Sequence, residues 1–157
     1  MRMTVLGCLV AAACGGDDLG DETCGLSLRL SGALTSEVEP TDVACAVPLT
    51  PRSSLGMRVT FVALGGPSVE LAIADVLPEQ LGDFPAEVVI DPGEGLYRAD
   101  CTATLTAHTE VGAGELGTTR YRARGTVTCP APATPDDGGE PVTIANLDFV
   151  VEVAWFD

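Results

Sequence analysis

The sequence has no lysine, one histidine (His108) and one tryptophan (Trp155) among 157 residues, and its formal net charge is −15. A surface of that sign repels polynucleotide phosphates and anionic head groups, so nucleic acid is excluded as a partner. Metal is poorly served as well: the cysteines form no close CxxC pair and a lone histidine cannot complete a zinc set, so no metal and no cofactor is expected. The stretch "DPGEG" at 91–95 offers Asp91 and Glu94, too few oxygen ligands for calcium, and reads as a β-turn. GxSxG, HExxH and phosphate-loop signatures are all missing. Prolines at 40, 48, 51, 67, 78, 85 and 92 leave no stretch long enough for a substantial helix, only a short helical turn near Pro78–Leu81. After Ala13 there is no long apolar run, and Met3–Ala13 is well under the roughly 20 residues that span a bilayer.

What is present begins with that N-terminal stretch. One early charge, Arg2, precedes an uncharged segment that ends in small residues, and "LGCLVAAACGGDD" (6–18) then turns abruptly polar. This is the order of a secretory signal. Its end resembles the signal of bacterial lipoproteins, in which a lipidated cysteine becomes the first residue of the mature chain. The resemblance implies a signal peptide at 1–13, lipidation of Cys14 and export to the bacterial cell envelope; the crowded acids mark 14–23 as a flexible acidic tether, and the length of 24–157 suits a single domain. Cys8 is the rival lipidation site, but it would leave Leu9–Ala13 exposed in the tether. Ordinary cleavage near Ala13, with a free secreted product, is the other reading of the same stretch. A tether of this length reaches roughly 15–18 Å on average.

Four cysteines remain, Cys24, Cys45, Cys101 and Cys129, and in an exported chain they imply two disulfides in one of three connectivities. Period-two alternation marks strands: Leu26, Leu28 and Leu30; Val59, Phe61 and Ala63; Leu147, Phe149, Val151, Val153 and Trp155, each set alternating with mainly polar neighbours. Further strands are expected at 69–74, 87–90 and 43–47. The fold class is therefore all-β, an antiparallel β-sandwich or flattened barrel, since such strands must bury one face.

Residues 101–129, "CTATLTAHTEVGAGELGTTRYRARGTVTC", fold on themselves about Glu115 so that Cys101 meets Cys129, Ala103 meets Val127, Leu105 meets Gly125 and Ala107 meets Ala123. Opposed cysteines lie within disulfide reach, leaving Cys24–Cys45 by elimination. The small inner residues of this hairpin require a large neighbour, either Phe61, Phe149 or Trp155 from the opposite sheet or an apolar ligand in a cavity. On the outer face Arg120, Arg122 and Arg124 fall at alternate positions, with His108 opposite Arg122 and Arg98 in the same parity. This basic stripe is the candidate partner-binding surface, suited to a carboxylate, phosphate or sulfate. An exposed His108 beside an arginine, with no placed nucleophile, gives no catalytic constellation, and the expectation is a non-enzyme.

From Arg120 to Trp155, "RYRARGTV" and "DFVVEVAW" are similar to the final strands of the mycobacterial nineteen-kilodalton lipoprotein antigen family. That family carries a cysteine after its last strand where this chain has Trp155, so its disulfide does not carry over. The resemblance implies a non-enzymatic, membrane-tethered β-module. Such a module would display a surface to a protein, glycan or anionic envelope component; carriage of a small apolar ligand or lipid between the sheets is the alternative.

Overall fold

The computed structural model describes residues 23–51 and 55–156. The expected signal peptide, the rival cysteines Cys8 and Cys14 and most of the tether lie outside the described residues. Alternation of apolar and polar residues resolves into antiparallel strands: β1 (Cys24–Gly32), β2 (Ser36–Val38), β3 (Val43–Ala46), β4 (Thr50–Pro51), β5 (Gly56–Ala63), β6 (Ser68–Ala74), β7 (Gly82–Asp91), β8 (Tyr97–Ala113), β9 (Thr119–Thr128), β10 (Thr134–Pro135) and β11 (Val142–Phe156). They form one sheet in the order β2-β1-β11-β9-β8-β7-β6-β5-β3, with β10 beside β8 and β4 running parallel beside the end of β11.

The sheet curls until its two margins meet. The Cys24–Cys45 disulfide joins β1 to β3 across the seam, with Cα atoms 5.8 Å apart, and makes a nearly closed barrel. At about eight strands a barrel interior is just wide enough for side chains to fill it. The alternating residues read from the sequence do so: Leu26, Leu28, Leu30, Val59, Phe61, Leu147, Phe149, Val151, Val153 and Trp155 are all buried in one core. Cys101–Cys129 forms the second disulfide, between β8 and the residue that follows β9.

Pro85 sits inside β7, where a proline would break a central ladder. It is accommodated because β6 pairs with β7 only up to Ala86, so Pro85 has β8 alone as neighbour and its missing N–H faces a free edge. The segment at 78–81 is a turn closed by the Gln80 amide donating to the Leu77 carbonyl at 3.3 Å, not a helical turn. The 91–95 turn is stabilised by the Gly93 amide donating to Asp91 Oδ1 at 2.8 Å, an Asx-type closure that uses the carboxylate locally.

The β8–β9 hairpin keeps the expected register from Thr102–Thr128 to Leu105–Gly125 and then departs from it. Thr106 is an extra residue on β8, so Ala107 lies opposite Arg124 and His108 opposite Ala123; Val111 is a second bulge, after which Gly112 lies opposite Arg120. A β-bulge inserts one unpaired residue and so exchanges inward and outward positions beyond it. Gly125 lies beside the first bulge, where a Cβ would overlap the main-chain oxygen of Thr104, and only glycine permits that approach.

Candidate functional site

The arginine stripe is split by the fold. Arg98 lies on the outer face of β8, roughly 30 Å along the strand from the level of Arg124 at about 3.4 Å per residue. There its Nε donates to Asp136 at 3.2 Å and its Nη1 stands 3.7 Å from Glu87. Arg120, Arg122 and Arg124 do share one outward row on β9. Two of them share an acid on β11: Glu152 accepts from Arg120 Nη1 at 3.1 Å through one oxygen and from Arg122 Nη2 at 3.0 Å through the other. Asp148 stands further along the same side of β11, opposite Thr126. The row is therefore a cross-strand ion-pair network of mixed sign, in which carboxylates of the chain itself already occupy guanidinium groups that an external anion would need. The one expectation of a four-arginine stripe is corrected to three arginines interleaved with acids.

His108 is the larger correction. The bulge at Thr106 turns it from the outer face into the barrel, where it is 2% exposed. Its ring meets Tyr121 edge-on at 5.6 Å between centroids and lies 6.4 Å from the Trp155 ring. Both imidazole nitrogens and Trp155 Nε1 are buried without a hydrogen-bond partner. Burial holds the imidazole below the ordinary histidine range, against smaller opposing pulls from the Gln80 main-chain carbonyl, which lies outside hydrogen-bonding geometry, and from the Glu79 carboxylate. Glu79 lies in the β6–β7 connection, and Glu110, two residues on from His108 along β8, is exposed opposite Tyr121. The enclosed ring packs in the barrel core against Tyr121 and Trp155. The sequence signal that locates it is the small-residue run around it, read with an unseen bulge.

A depressed histidine has a definite pH signature. Above pH 6.5, the ordinary histidine value, His108 is neutral in folded and unfolded chains alike. As the pH falls below 6.5 the unfolded chain takes up a proton that the folded barrel resists, so stability declines until the folded-state pKa is passed. Urea melts between pH 7.5 and pH 5 are expected to show this decline in the wild type and a flatter profile in His108→Phe. Equal slopes in the two proteins would place the acid sensitivity elsewhere.

The aromatic side chains expected inside are found there. Phe61, Phe149 and Trp155 are fully buried and belong with Ala103 and Ala123 to one core. An open groove of about 580 Å³ lies on the outside, between the 48–50 segment with Leu55 and the sheet surface carrying Arg58, Ala72, Ala74, Pro85 and Glu87. Among the described residues no group of three or more His, Cys, Asp or Glu side chains is arranged to hold a metal ion. No family model, no curated protein and no solved structure matches this chain.

Proposed function

We propose that this chain is a lipid-anchored, extracytoplasmic β-module without catalytic activity, which presents its outer surface to a protein, glycan or other envelope component. The observation that carries the reading is the seam disulfide. A barrel whose two margins are joined by Cys24–Cys45, with a second bridge at Cys101–Cys129, needs an oxidising compartment to mature. That requirement agrees with the exported chain implied by the N-terminal stretch. The filled interior favours display over carriage, and the interleaved arginines and acids of β9 and β11 suit a patterned polar partner better than a free anion.

The anchor is tested directly. Each buried methylene of an acyl chain contributes about 0.8 kcal/mol, and stable attachment needs two chains or a second membrane signal. Cells expressing Cys14→Ser are expected to release the chain from the membrane fraction, while the wild type sediments with it. Unchanged partitioning of the variant would remove the lipid anchor from this reading.

A further inference from the structure

The barrel has two distinguishable ends. At one end β11 finishes at Trp155–Phe156 beside Thr119 and Thr50, the β8–β9 hairpin turns, β6 stops, and β5 and β7 begin. Four connections at this end each expose a leucine: Leu49 (52%), Leu55 (60%), Leu81 (59%) and Leu116 (88%). Single exposed leucines are ordinary on protein surfaces. Here they come from four connections at the same end of the barrel, Leu49 and Leu55 side by side along the outer groove, on a chain whose net charge is −15.

Leu116 adds an independent indication. It occupies the tip of the hairpin at φ 54°, ψ 29°, between Gly114 and Gly117. That left-handed region is open to glycine and asparagine, and a leucine held there is both conformationally strained and solvated. A third observation identifies the occupant. The chain preceding the barrel joins it at this same end, because the Glu152 amide donates to the Thr23 carbonyl at 3.0 Å and the next positions along β11 are taken by Thr50–Pro51. Whatever membrane attachment residues 1–22 supply is therefore delivered beside the leucine rim and not at the opposite pole.

We infer that this rim is a bilayer-docking surface, with Leu116 entering the boundary between head groups and acyl chains and Leu49, Leu55 and Leu81 resting on it. The inference rests on the membrane-anchored reading above. A tether reaching roughly 15–18 Å keeps the rim at high effective concentration over the membrane, so weak apolar contacts suffice. The acids at this end, Asp75, Glu79, Asp83, Glu110 and Glu115, set the lipid preference: zwitterionic surfaces are favoured and anionic ones repelled.

The test uses the full chain with a histidine tag after Asp157, held on phosphatidylcholine vesicles by nickel-chelating lipid whether or not Cys14 is acylated. Acyl-chain bromines then quench tryptophan at depth. Leu116→Trp is compared with Leu64→Trp, an 80% exposed tip residue of the β5–β6 connection at the other end, each corrected for the buried Trp155 of the parent chain. Quenching of Leu116→Trp is expected to exceed that of Leu64→Trp at least threefold, to fall when Leu55→Ser and Leu81→Ser are added, and to weaken on phosphatidylglycerol vesicles. Near-ultraviolet circular dichroism of each variant confirms the intact barrel. Equal quenching at both ends overturns the docking surface, as does sedimentation showing the rim buried in a second copy of the chain. Because the tag supplies the tether, these failures are distinct from retention of Cys14→Ser in the membrane fraction, which overturns the anchor alone.

Discussion

The double variant Cys24→Ala/Cys45→Ala is expected to lose more stability than Cys101→Ala/Cys129→Ala, although it closes the shorter loop. Chain entropy alone predicts the opposite order by a small margin: sequence separations of 21 and 28 residues correspond to about 3 kcal/mol each. The difference lies in the folded state. Cys101 and Cys129 sit in a hairpin whose β8–β9 ladder is unbroken beside the bridge, from Thr102 to Leu105, so its native geometry survives without the bridge. Cys24 and Cys45 join β1 to β3, which share no ladder, and releasing them frees the seam over Leu26, Phe61 and their core neighbours. A loss above 4 kcal/mol is expected for the seam variant, within the roughly 2–5 kcal/mol seen when native bridges are removed. Guanidinium melts of both variants, with hydrogen exchange at β3 and β5, decide the matter. A larger loss from the hairpin variant would show that the margins are held by packing alone.

Trp155→Ala should cost about 3–5 kcal/mol, the range for removing a large buried aromatic side chain from a core that cannot collapse around the gap. Collapse is hindered here because Trp155 lies between the ladder to Thr119 on β9 and the short β4 pairing at Thr50, in a barrel whose circumference is set by its strands. The substitution also removes the ring beside His108 and leaves an apolar cavity, which a small aromatic probe such as benzene is expected to fill with partial recovery of the melting temperature. Trp155→Phe, which keeps most of the volume and deletes the unpartnered Nε1, should cost far less than the alanine change. A small loss from Trp155→Ala, with no benefit from the probe, would mean that the interior is not built around this ring.

The leucine rim and the acid-sensitive histidine belong to the same end of the molecule, and the connection between β6 and β7 serves both. Val76 is fully buried beneath that connection while Leu81, at its other end, is exposed. His108 lies near the same connection, whose Gln80 carbonyl and Glu79 carboxylate both favour the charged ring against the larger effect of burial. The pH and docking measurements bear on neighbouring parts of one structure.

The sequence by itself determined the fold class, the strands that alternate without interruption and both disulfides. Leu26–Leu30 and Leu147–Trp155 bury alternate residues because a strand's side chains have a fixed period of two, and a one-residue slip would expose all of them. The Cys101–Cys129 pairing was legible for the same reason, since the hairpin register holds unbroken from Thr102 to Leu105. What only the tertiary structure decided begins at Thr106. A bulge leaves no periodic mark in a run of threonines, alanines and glycines, and its site is set by the curvature that a closing barrel imposes on β8, with Gly125 admitting the close approach. From that one residue follow the burial of His108 and the outward turn of Ala107, whereas the pairing of Arg120 and Arg122 with Glu152 is set by the β9–β11 register. The separation of Arg98 from the other arginines, and the gathering of Leu49, Leu55, Leu81 and Leu116 on one rim, likewise depend on strand offset and closure, which join residues far apart in the chain and leave no local trace in it.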